Sequence, residues 1–104
     1  MILTLQDDTV LRVYGSLEAV VMDVEALDAE EVLREVFDER GQRYVVEWLQ
    51  PNSEVEIAGP IKVVGSGRYR LVPVGQPDLD ALRSFIVKAA AIEPASAEHE
   101  VREL

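Results

Sequence analysis

Cysteine is missing from this chain altogether. That one gap excludes a disulfide framework, a thiolate nucleophile and any cysteine-built zinc site. Histidine is almost missing as well: His99 is the only one, and it stands near the carboxyl end. No apolar run approaches the roughly 20 residues of a membrane-spanning helix. The opening residues, Met1-Ile2-Leu3-Thr4-Leu5-Gln6-Asp7-Asp8, lack the basic start and apolar stretch of a secretory signal. The expectation is a cytoplasmic protein without a membrane partner, suited to a reducing compartment.

Positive charge is scarce and unevenly placed. The chain has 10 lysines and arginines against 20 acids, a net charge of -10. From Leu17 to Glu39 there are nine carboxylates and one base, Arg34, for a local balance of -8. Residues 40 to 92 hold five acids and seven bases. A concentrated negative segment joined to a mildly positive half attracts cations or a basic protein surface and opposes a polyanion. Nucleic acid is therefore not an expected partner.

What is present describes one folded unit. A chain of 104 residues buries a single core, and 48% hydrophobic with 29% charged content, in periodic clusters, is that of a globular protein. The expected organisation is a single α+β domain over residues 1–93, with 94–104 as a flexible acidic tail. Within it, Ile2 to Leu5 and Val10 to Tyr14 flank the polar turn Gln6-Asp7-Asp8-Thr9 and form an opening hairpin. Ser16 then caps a helix carrying Leu17, Val20, Val21, Val24 and Leu27 at helical spacing. Its opposite face holds Ala19, Met22 and Ala26 between Glu18, Asp23 and Glu25.

Val32 to Asp38 and Arg43 to Leu49 are expected as a hairpin around Glu39-Arg40-Gly41-Gln42. That register pairs Asp38 with Arg43, Phe37 with Tyr44, Arg34 with Glu47 and Leu33 with Trp48. A helix from Asp28, with Glu31 completing a capping box and Gly41 as its stop, competes for the same letters. Which face of the hairpin is buried stays open. Glu54 to Ile57 reads as a short edge strand between two breaks, Pro51-Asn52-Ser53 and Gly59-Pro60. A second hairpin is expected from Ile61 to Val64 and Arg68 to Val72 around Gly65-Ser66-Gly67, setting Ile61 against Leu71, Val63 against Tyr69 and Lys62 against Arg70. Pro77-Asp78 opens a second helix with Leu79, Leu82, Phe85, Ile86, Ala89 and Ile92 as its buried stripe, stopped by Pro94. The sum is a mostly antiparallel sheet of about five or six strands with two helices packed on it.

Catalytic equipment does not assemble from these residues. Gly65-Ser66-Gly67 lacks the third glycine, the lysine and the following helix of a phosphate-cradling loop, and Ser66 has no base beside it. Lys62, Arg68 and Arg70 form one basic patch with Tyr69, which Glu47 from a neighbouring strand can neutralise. Asp7-Asp8 and Asp28-Ala29-Glu30-Glu31 offer oxygen ligands without the alternating pattern of a calcium loop. A carboxylate dyad such as Glu35 with Glu47 stays open, since the expected register puts Glu35 beside Val46 on the aromatic face of the hairpin. No cofactor and no metal is expected.

Glu25-Ala26-Leu27-Asp28-Ala29-Glu30 and Phe37-Asp38-Glu39-Arg40-Gly41-Gln42-Arg43-Tyr44 resemble stretches of small bacterial proteins. The acidic, cysteine-free, one-domain form is similar to immunity proteins that neutralise secreted toxins. That resemblance implies an inhibitor, not an enzyme, that holds a basic toxin or nuclease domain by its active-site surface. On this reading Glu18, Glu25, Asp28, Glu30 and Glu31 present charge to the partner, and Met22 or Trp48 supplies an apolar anchor. Trp48 stands in an alternating strand and is expected in the core. Two alternatives remain: a structural subunit that forms a homodimer through a sheet edge or the Ala19-Met22-Ala26 strip, and a small carboxylate-based enzyme.

Overall fold

Strand β1 (Ile2–Leu5) and strand β2 (Val10–Tyr14) pair antiparallel, Ile2 with Tyr14 and Leu5 with Leu11, as their alternation requires. The structure is a computed structural model and describes residues 1–6, 9–58 and 61–104, the side chains of 55–63 excepted. The expected turn at Gln6 to Thr9 thus falls partly outside the described residues. Successive residues of β1 point to opposite faces, Leu3 into one apolar cluster and Ile2 into another.

Helix α1 (Leu17–Asp23) begins at Ser16, whose hydroxyl accepts the Ala19 amide at 3.1 Å. It stops at Val24, short of the expected Leu27. The reason is local: β-branched Val20, Val21 and Val24 favour extended backbone, and Asp23 and Glu25 put negative charge at the end where the helix dipole is already negative. Ala26 is consequently turned inward and buried, not placed on an outward strip. A single turn, α2 (Ala29–Val32), follows, and Asp28 makes no side-chain cap to it. The competing helix therefore exists only as this turn, and the chain then enters strand β3 (Glu35–Asp38).

β3 pairs with β1 on one side and with β4 (Arg43–Gln50) on the other, where Phe37 faces Arg43. This is one residue away from the expected register, which moves Tyr44 and Phe37 to opposite faces. The slip comes from the turn. Only Glu39, Arg40 and Gly41 form the loop, closed by the Asp38 amide on the Gln42 carbonyl at 3.0 Å. Gly41 adopts φ +84°, the left-handed conformation that a three-residue hairpin loop asks of its last position. Leu33 and Arg34 precede the strand and do not pair with β4.

The Asp38 carboxylate holds that loop, accepting the Arg40 amide at 2.8 Å and the Gln42 amide at 3.1 Å. Burial pushes its pKa up, but these two amides and the Arg40 guanidinium outweigh burial and bring it below the ordinary value. A lowered folded pKa gives stability that is present above the unfolded pKa, about 3.9, and lost as pH falls through the folded one. Urea unfolding of the protein and of Asp38→Asn, followed from about pH 6 to about pH 2, should show a smaller acid-dependent loss in the variant. Parallel acid limbs would mean that this carboxylate does not hold the loop.

The second expected hairpin does not form. β4 pairs with β7 (Arg68–Val74), placing Glu47 opposite Arg70 and Trp48 opposite Tyr69. β5 (Ser53–Ala58) pairs with β6 (Ile61–Gly65), placing Glu56 opposite Lys62. Charge explains the exchange: the expected register opposed Lys62 to Arg70, whereas the observed ones oppose each base to a glutamate. Gly65-Ser66-Gly67 is therefore no hairpin turn but a break in a long ribbon, matched by Pro51-Asn52 on the other strand. A Cβ on Gly67 would lie 2.1 Å from the Gln50 carbonyl oxygen, so only glycine fits this crossing. Asn52 fastens it, donating to the Ala26 carbonyl at 2.8 Å and accepting the Gly67 amide at 2.7 Å.

Helix α3 (Leu79–Lys88) starts at Asp78, whose carboxylate accepts the Ala81 amide at 3.0 Å. Leu82, Phe85, Ile86 and Ala89 are buried as expected, while Leu79 is exposed. Ile92 is buried too, but from a strand: β8 (Ala91–Glu93) runs parallel to β2, with Ile92 beside Leu11. Residues 95–97 form a 3-10 turn and α4 (Glu98–Arg102) follows. Val101, in the stretch expected as a loose tail, is fully buried. The main sheet has the order β7-β4-β3-β1-β2-β8 and is antiparallel except for β2 with β8. Among the described residues, two longer α-helices and two short ones accompany it. The cluster of Leu3, Leu11, Phe37, Leu82, Phe85 and Val101 lies under α3 and α4, and that of Ile2, Val20, Val24, Val36, Tyr69 and Leu71 lies under α1 and α2.

Candidate functional site

The acidic segment supplies its candidate residues from α1, α2 and the link between them. Glu18, Met22, Glu25, Asp28, Glu30 and Glu31 are all exposed, Met22 at 86%. Several other carboxylates meet bases: Glu35 with Arg43, Asp38 with Arg40, Glu39 with the amino terminus, Glu47 with Arg70, Glu93 with Arg12 and Glu98 with Arg102. Among the described residues, Glu18, Glu25, Asp28, Glu30 and Glu31 form no such pair. Asp23 differs from them, since it accepts the Tyr14 hydroxyl at 2.6 Å. Burial, and then this carboxylate, pushes the Tyr14 phenol up to about 12, so Tyr14 serves as a fixed donor throughout the ordinary pH range.

The backbone beneath these acids is held from β7 and the ribbon base. The Tyr69 hydroxyl donates to the Val24 carbonyl at 2.6 Å, and Asn52 holds the carbonyl of Ala26. Beside the end of α1 opens a cleft of 530 Å³ lined by Val21, Glu25, Leu49, Ser66, Arg68 and Tyr69 among others. Leu49 is an exposed apolar wall of the cleft, and exposed Met22 and Leu27 are the sequence neighbours of two other walls, Val21 and Ala26. A desolvated apolar anchor with charges around it is the arrangement that concentrates binding energy in protein interfaces. The cleft was invisible in the sequence, because its walls come from α1, β4 and β7. The signal that does exist is the alternation of β7, with Tyr69 and Leu71 buried and Arg68 and Arg70 exposed.

Other expected groupings are rearranged. Glu35 and Glu47 do not form a dyad, since each meets its own arginine. Arg70 is neutralised by Glu47 as anticipated, with Nε 2.9 Å from the carboxylate, and Tyr69 is buried away from the two arginines that flank it. The side chain of Lys62 and the residues Asp7 and Asp8 lie outside the described residues. Trp48 is half-buried, packed on Tyr69 with ring centroids 5.8 Å apart. Among the described residues, no three histidines or carboxylates converge as a metal-binding set. No protein-family model matches the chain, and neither a curated protein nor a solved structure matches it significantly.

Proposed function

We propose that this protein is a non-catalytic binding module of the immunity type, an inhibitor that holds a basic toxin or nuclease domain through its acidic surface. The observation that carries the reading is a group of acids without bases: Glu35 and Glu47 each meet an arginine, while Glu18, Glu25, Asp28, Glu30 and Glu31 are exposed and form no ion pair among the described residues. Solubility needs charge anywhere on the surface. Like charges gathered on one segment repel each other, and a basic partner relieves that repulsion. Its field steers encounter, and an apolar side chain of the partner enters the cleft beside Glu25 as anchor.

The test begins with capture from the native host at low salt and identification of one basic protein released by rising salt. Association with that protein is then timed for the wild type and for Glu30→Lys with Glu31→Lys. The double reversal should slow association by about tenfold at low salt, with the two rates converging as salt screens the field. Equal association rates would remove the acidic surface from the mechanism.

A further inference from the structure

β7 is a free edge. It is seven residues long, it pairs with β4 on one side, and no other strand lies beyond it among the described residues. An edge of this length presents backbone amides and carbonyls ready to pair with another chain. Pro73 withholds one donor near the end, which leaves Arg68 to Val72 as the usable stretch.

What the two faces offer along this edge differs sharply. On the α1 and α2 face, Glu25 borders the cleft with Arg68 and Tyr69, and Glu30 borders a second hollow with Tyr44, Val46 and Leu71. Glu25 and Glu30, the latter with Arg34 beside it, thus lie by the α1 and α2 face of β4 and β7. On the opposite face α3 covers the middle of the sheet but not this end. Val45 is 43% and Val74 is 44% exposed there, with half-buried Val72 opposite Val45. Side chains of an added strand alternate between the faces, so one set would lie by Glu25 and Glu30 and the other by Val45 and Val72 beside the Arg70–Glu47 pair.

We propose that the β7 edge accepts an extended segment of the basic partner as an additional strand, and that this segment alternates lysine or arginine with apolar residues. The proposal rests on the binding function above for the sign of the partner's charge, and adds the mode by which it docks. Main-chain hydrogen bonds would supply affinity and the alternation specificity. A second copy of this chain fits poorly. Pairing β7 with β7 about a two-fold axis perpendicular to the sheet keeps each face on its own side, so Glu25 and Glu30 of both copies gather on one face, while Arg70 on the other already meets Glu47.

The probe is the capped peptide Lys-Val-Lys-Val-Lys-Val-Lys, titrated into isotope-labelled protein and followed by amide chemical shifts. Two variants carry N-methyl groups, one on its lysines and one on its valines. In a strand the amides of alternate residues point to opposite sides, so only one methylated set faces β7. The expected result is that the parent shifts the amides of Arg68 to Val72, and that one methylated peptide binds as the parent does. The other should lose at least about tenfold in affinity, the scale of one or two missing hydrogen bonds. If both methylated peptides bind like the parent, and Glu30→Lys with Glu31→Lys abolishes all three, strand addition is overturned while the acidic surface stands. Absence of shifts along β7, or pairing of the protein with itself there, overturns the proposal whatever partner the capture experiment finds.

Discussion

Phe37→Ala is expected to destabilise the protein by about 3–5 kcal/mol, read as a lower urea midpoint at unchanged slope. The site explains the size. Phe37 is 1% exposed and lies on β3, between β1 and β4. Its ring meets that of Phe85 with centroids 5.1 Å apart, and the Arg43 guanidinium lies 5.1 Å above it on the solvent side. Truncation removes one of the contacts between sheet and α3 and leaves a void that strands paired on both sides cannot collapse. A domain of this size has about 5–15 kcal/mol of stability in total, so the variant would be folded only marginally. Val87, at 80% exposure on the outer side of the same helix, is the matched control, and Val87→Ala should change little. A loss below about 1 kcal/mol for Phe37→Ala would show that α3 does not pack on this strand.

The second large effect is expected near the carboxyl end. Val101→Asp should cost about 3 kcal/mol or more, because it removes apolar contacts and buries a carboxyl group without a partner. Val101 is fully buried in the cluster of Leu3, Leu11, Leu82 and Ile86. Glu100→Ala on the exposed side of α4 should be nearly silent by comparison. Hydrogen exchange separates the two views of this segment. A packed α4 has protected amides that Val101→Asp exposes, whereas a frayed end would exchange rapidly in both proteins and leave their unfolding midpoints alike.

Features encoded by neighbours in sequence were legible. The β1 and β2 pair, the Ser16 and Asp78 caps, and the buried stripe Leu82, Phe85, Ile86 and Ala89 each depend on a few adjacent residues, and each is found. What failed required knowledge of distant chain. Ile92 keeps the helical spacing of α3, yet it is more fully buried beside Leu11 in a parallel pair that joins the two ends of the sequence. Gly65-Ser66-Gly67 has the letters of a tight turn, and only the match of Glu47 to Arg70 and of Glu56 to Lys62 across longer separations decides against it. The one-residue slip of β3 against β4 arose because Asp38 bonds Gln42 and shortens the loop, a side-chain choice that strand alternation does not report. Of the candidate site, the acids could be read from composition, and their exposure followed. The cleft could not, since Leu49, Arg68 and Tyr69 reach it from strands whose pairing was misjudged.

Asn52 has a role beyond the hydrogen bonds it makes. By gripping Ala26 and Gly67 together it forms a collar through which the β5 and β6 ribbon leaves the domain and returns. Among the described residues, the strands of the ribbon pair with each other and not with the six-stranded sheet. The ribbon is therefore a graft point: shortening or lengthening it would leave the pairing of β4 with β7 as it is.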